Sequence, residues 1–181
     1  MSSHDDGLQH PTLLPLGAIG QYLDEWRSLH QHVSDRNRRL PMGAQLYTPK
    51  INAGVTESLL VHLINDGQLR DVMPSVVRAA RGLGRGGHPD VYGWSVDDRR
   101  QTLESKAAGL AGWQRASEAD ARADWFVFTS VAPLLTGDTL EVWAVEKLGR
   151  FLAGGTDLYW KSFGRAIGHA TKPIEVRAPV P

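Results

Sequence analysis

Apolar and polar positions alternate along this chain with two distinct periods. From Leu16 to Val33, Ile19, Tyr22, Leu23, Trp26, Leu29 and Val33 recur at steps of three and four, which predicts an amphipathic helix. A second helix is predicted from Ala53 to Asn65, where Val55, Leu59, Leu60, Leu63 and Ile64 form a stripe and Gly67 stands where a helix C-terminus favours glycine. Val72 to Ala80 is apolar and fits either a helix or a strand. Arg81-Gly82-Leu83-Gly84-Arg85-Gly86-Gly87 has four glycines in seven residues, too many for regular structure, and reads as a basic loop.

The period then changes to two. Pro89 to Trp94 reads as a strand, Asp97 to Arg100 as a hairpin tip and Gln101 to Lys106 as the returning strand. On that strand Gln101, Leu103 and Ser105 share one face, and Thr102, Glu104 and Lys106 share the other. A helix is expected over Ala116–Ala123, an apolar strand over Asp124–Ser130 and, past a Thr136-Gly137-Asp138 turn, a partner strand over Leu140–Val145. A short helix should cover Glu146–Leu152. Strands with flanking helices and at least one hairpin predict an α/β (α+β) fold around a mixed sheet.

Composition narrows the class. The chain has 181 residues, 41% hydrophobic and 22% charged, the profile of one globular domain with one core. Residues 1–15 read as a flexible arm. No apolar run reaches the length of a membrane span, so no membrane partner is expected. The first ten residues lack the basic start and apolar middle of a secretory signal, so a cytoplasmic location is expected. The absence of cysteine excludes disulfides, thiolate zinc sites and thiol catalysis.

Twenty basic and twenty acidic side chains cancel, which alone argues against a nucleic-acid partner. The total conceals unlike regions, however. Residues 1–89 carry nine basic and eight acidic groups, residues 90–146 five and ten, and residues 147–181 six and two, giving +1, −5 and +4. Carboxylates collect divalent cations and Lys or Arg meet phosphate, so a metal site beside a polyanion contact is compatible with neutrality.

The candidate chemistry lies in Pro89-Asp90 and Glu104-Ser105-Lys106. Glu104 and Lys106, two apart on a strand, leave the same face, and Asp90 at the mouth of the neighbouring strand brings a second carboxylate alongside. Two hard oxygen ligands suit Mg²⁺ that keeps several waters and meets a phosphate, and a lysine beside them suits activation of a water. This is chemistry for hydrolysing a phosphodiester.

In this order, the helical Asn52-Ala-Gly-Val-Thr-Glu57, Pro89-Asp90, Glu104-Ser-Lys106 and Ala123-Asp-Trp-Phe-Val-Phe128 resemble the PD-(D/E)xK nuclease superfamily over about residues 50–145. Trp160-Lys161 and Lys172-Pro173-Ile174-Glu175-Val176 extend the resemblance towards small type II restriction endonucleases of the PvuII type. The resemblance implies a restriction-endonuclease-like mixed sheet flanked by helices, with residues 16–40 as an N-terminal dimerisation helix, 50–145 as catalytic core and 146–181 as a basic C-terminal segment. It implies Mg²⁺-dependent cleavage of double-stranded DNA by a homodimer, with Asp90, Glu104 and Lys106 catalytic, Asp90 and Glu104 as metal ligands and Glu57 as a third candidate ligand. One departure stands out: only eighteen residues separate Lys106 from Trp125, with no histidine among them, so the recognition sequence does not carry over.

Candidate DNA contacts are Gln114, Arg115 and Ser117 as base readers, Arg81 and Arg85 as phosphate clamps in the glycine loop, and Lys161, Arg165, His169 and Lys172 in the tail. The alternatives left open are a modification-dependent, repair or toxin nuclease of the same fold, and a non-catalytic DNA-binding protein.

Overall fold

The computed structural model describes residues 11–85, 87–108, 115–116, 122–151, 158–159 and 174–177. Two helices, α1 (Leu16–Asn37) and α2 (Ala53–Asn65), precede eight strands: β1 (Arg78–Arg81), β2 (Val91–Trp94), β3 (Arg100–Ala108), β4 (Arg115–Ala116), β5 (Trp125–Ser130), β6 (Thr139–Glu146), β7 (Leu158–Tyr159) and β8 (Ile174–Arg177). Six strands form one sheet in the order β1-β2-β3-β5-β6-β8, while β4 and β7 pair separately. The large sheet is mixed: β3 and β5 run parallel, and its other neighbouring pairs are antiparallel.

Helix α2 buries its apolar stripe on one face of this sheet, and α1 the N-terminal part of its own, with Leu29 left 52% exposed. Ile19, Leu23 and Trp26 of α1 and Val55, Leu59, Leu60 and Leu63 of α2 form a single core with Val91, Leu103, Trp125, Val127, Leu140, Val142 and Ala144 of the strands. Alternate residues take the other face, where Phe126 and Phe128 are buried and Phe128 lies 5.5 Å from Trp143, ring to ring. Helix α2 begins and ends at the expected residues. The Asn52 side chain accepts a hydrogen bond from the Gly54 N–H, satisfying one of the free donors of the first turn, and Gly67 takes a φ of +73° just past the end.

Several expectations are corrected. The segment that fits either helix or strand becomes β1 only at Arg78, so Arg81 belongs to a strand rather than to the glycine loop. Ala116 lies in β4, not at a helix start. Glu146 ends β6, and a 3-10 turn over Leu148–Phe151 stands in place of the expected helix. Helix α1 runs on to Asn37, and its Trp26 is 6% exposed and donates its indole N–H to the Pro49 carbonyl at 3.1 Å. Within the arm, residues 12–14 are docked. The Leu14 N–H donates to Ser58 Oγ at 3.3 Å, the Leu14 carbonyl lies 2.8 Å from His62 Nε2, and Thr12 offers its carbonyl to Arg81. Residues 1–10 lie outside the described residues.

Candidate active site

A cleft of about 530 Å³ opens where the N-terminus of α2 meets the ends of β1, β2 and β3. Asn52, Gly54 and Glu57 line it from the helix, Arg81 and Gly84 from the end of β1, Asp90 from the start of β2, and Ser105 and Lys106 from β3. Residues more than fifty positions apart in sequence thus share one concavity.

Register places the carboxylates. Val91 pairs with Leu103 as the last matched residues of β2 and β3, so Asp90 and Glu104 each lie one step beyond the ladder. Asp90 is held from behind: its Oδ2 accepts the Ser105 N–H at 2.9 Å. Lys106 Nζ donates to Glu104 Oε1 at 2.9 Å, which fixes the ammonium on the shared face of β3. Glu104 is absent from the cleft wall and reaches the site through this lysine.

Two glycines missed as site residues make the arrangement possible. A side chain on Gly82 would collide with the Pro89 carbonyl, and a Cβ on Gly84 would stand 2.8 Å from Asp90 Oδ1. Backbone bonds confirm how closely the strands pass, with the Gly82 N–H on the Asp90 carbonyl at 2.7 Å and the Gly84 N–H on that of Pro89 at 3.1 Å. The signal was the spacing of Gly82 and Gly84, two apart as on a strand edge. A count of glycines in a loop does not show it.

Glu57, the third candidate ligand, lines the cleft from α2 and is paired with Arg81. Its Oε2 accepts from the Arg81 guanidinium at 2.8 Å, with only 14% and 15% of the two side chains exposed. Burial nevertheless pushes the Glu57 carboxyl above its ordinary value, the nearby Asp90 charge adds to the rise, and the Arg81 hydrogen bond opposes it. Desolvation outweighs the ion pair here. Among the described residues no three acidic or histidine side chains are grouped to hold a metal ion.

Arg81, expected to be a loop clamp, is instead a cleft wall bound to Glu57 and, at 3.1 Å, to the Thr12 carbonyl, with its buried Nε lacking a partner. Arg85 is exposed on the turn beyond and does not line the cleft. The backbone of Arg115 pairs with Tyr159 in the small sheet. Gln114, Ser117, Lys161, Arg165, His169 and Lys172 lie outside the described residues.

Two further residues set the site without touching it. Asp124 Oδ2 accepts from both the N–H and the hydroxyl of Thr102, at 2.9 and 3.0 Å, and its own N–H donates to that hydroxyl at 3.1 Å. The Trp125 indole donates to Gln101 Oε1 at 2.7 Å. These bonds lock β5 to the start of β3 and so fix where Glu104 and Lys106 stand. Among the described residues, no helix is long and apolar enough to cross a membrane. Compared with known proteins, the chain matches no family model, no curated protein and no solved structure.

Proposed function

We propose that this chain is a Mg²⁺-dependent endonuclease that hydrolyses phosphodiester bonds of double-stranded DNA. It would work on a restriction-endonuclease-like sheet as a site-specific, type II homodimer. The observation that carries this reading is the junction of β2 and β3, where Asp90 is hydrogen-bonded to the Ser105 N–H and Lys106 is bonded to Glu104 at the edge of an open cleft. Two hard carboxylates fit Mg²⁺, which needs only one or two from the protein when waters and phosphate oxygens complete its shell. Asp90 and Glu104 would hold it, and once bound it would polarise the phosphoryl oxygen and acidify a bound water.

The chain's own groups do the rest. The Ser105 N–H keeps the Asp90 carboxylate aimed, and Lys106 Nζ orients the attacking water and offsets negative charge as the water oxygen bonds to phosphorus and the ester oxygen leaves. A dimer follows from the reaction: two active sites related by a two-fold axis cut both strands of a palindromic site most simply.

The test is digestion of plasmid DNA with Mg²⁺ and with chelator by wild type, Asp90→Asn and Lys106→Ala. Wild type should give discrete fragments only with Mg²⁺, and each variant should be slower by about 10²–10³-fold, the usual loss on removing one preorganised transition-state contact. Wild type that binds DNA but never cuts would leave a non-catalytic binding protein, and variants that cut as fast as wild type would remove these residues from the mechanism.

A further inference from the structure

The connection between the helices is a second feature built for contact. Residues 36–50 carry Arg36, Arg38, Arg39 and Lys50 and no acidic residue, a local +4 hidden inside an N-terminal region whose sum is only +1. All four of these cations are exposed, Arg36 on the last turn of α1 and Arg38 with its guanidinium 3.4 Å from Asp35. The tip is apolar and unprotected, with Met42 96% and Tyr47 98% exposed.

The loop also has a fixed shape. The Asn37 side chain closes it at the base, donating to the Leu46 carbonyl at 2.8 Å and accepting the Leu46 N–H at 2.7 Å. Its far end is tied to α1 through Trp26 on the Pro49 carbonyl and through the Asn52 N–H, which donates to the Tyr22 hydroxyl at 2.9 Å. Ordering exposed Met and Tyr side chains beside four cations gains nothing for the isolated fold, whereas a preformed surface lowers the entropy lost on binding.

We propose that this loop, residues 38–50, is a DNA-binding element, its cations seated on backbone phosphates and Tyr47 with Met42 pressed against sugar and base edges. The partner is chosen by charge and by position. Lys50 leads directly into Ile51 and Asn52, which share the cleft wall with Asp90 and Lys106, so the loop ends at the proposed active site. Cations follow the phosphate backbone without reading sequence, while an apolar or aromatic tip engages bases or a groove. The inference rests on the nuclease reading for the identity of its partner, but it concerns binding and is measured without cleavage.

The experiment is fluorescence anisotropy with a labelled DNA duplex in Ca²⁺ across a salt series. It uses wild type, the triple variant Arg38→Ala/Arg39→Ala/Lys50→Ala, and Tyr47→Ser. Circular dichroism checks the fold, and sedimentation checks the oligomeric state. Each phosphate neutralised contributes a salt slope of about 0.9, so the triple variant should lose about 2–3 from the slope and roughly ten- to hundredfold in affinity. Tyr47→Ser should weaken binding severalfold with the slope unchanged, which a purely electrostatic or purely structural role would not produce.

If wild type cuts DNA and both loop variants bind as wild type does, the loop proposal is overturned while the nuclease reading stands. If wild type binds through the loop and never cuts, the reverse holds. Failure of wild type to bind DNA, capture of phosphatidylserine vesicles by the loop in preference to DNA, or conversion of a dimer to monomer by the variants would each overturn it.

Discussion

Gly84 has a φ of +59°, and a Cβ there would press on Asp90 Oδ1. Gly84→Ala therefore meets two costs, a left-handed backbone and a displaced carboxylate, expected to total about 1–3 kcal/mol of stability by urea unfolding. Cleavage should fall further than stability does, because the carboxylate displaced is a proposed ligand. An alanine variant with full stability and full activity would show that Asp90 has room to move.

Glu57 gives a prediction in pH at the same scale. Its folded-state pKa is raised above 4.5, so between that value and the raised one the native state holds more proton than the unfolded chain. Stability contributed by this group is therefore present at low pH and lost as pH rises through the raised value. Urea unfolding in steps from pH 4 upward should show wild type losing stability relative to Glu57→Gln over that window. A difference independent of pH would mean that Arg81 fully compensates the buried charge.

At the scale of elements, the parallel junction between β3 and β5 is the point on which the site depends. Antiparallel β2 and β3 are joined by a tight turn and find their register locally. By contrast, β5 arrives beside β3 only after a crossover, and parallel pairing is slightly weaker per residue. Asp124 compensates with a carboxylate that accepts two hydrogen bonds from Thr102. Asp124→Ala should cost about 1.5–3 kcal/mol, the usual worth of a bond to a charged group, read as a drop in the urea midpoint. Thr102→Val, which keeps the N–H donor and the side-chain shape, should cost less. Equal losses in the two variants would mean that the bond to the Thr102 N–H contributes little.

For the whole molecule, neutrality describes a sum and not a surface. The acidic stretch 90–146 contains Asp90 and Glu104, whereas the 38–50 loop carries only basic charges and leads into Ile51 and Asn52 of the cleft wall. A neutral total leaves little long-range attraction for a polyanion, so binding falls to local contacts. Burial follows the same division. One face of the sheet is covered by α1 and α2, and the cleft forms where α2 overhangs the strand ends.

Features governed by neighbours in sequence were legible there. Gly67 closes α2, and the alternation around Asp97–Arg100 marks a hairpin, because helix ends, turns and pleats are fixed within a few residues. The pairing of Glu104 with Lys106 was legible for the same reason: a period of two puts both on one face wherever the strand goes. Two-residue β7 and four-residue β8 left no such signal, being too short for periodicity and formed by pairing with distant strands. Residue order alone was thus enough for α1, α2, the β2–β3 hairpin, the Glu104–Lys106 face and the charge of each segment. Tertiary packing was needed to bind Arg81 to Glu57 rather than leave it free for phosphate, to make room for Asp90 at Gly82 and Gly84, and to leave Tyr47 uncovered. Those outcomes depend on which distant surfaces meet and which polar groups lose water, and no local spacing encodes them.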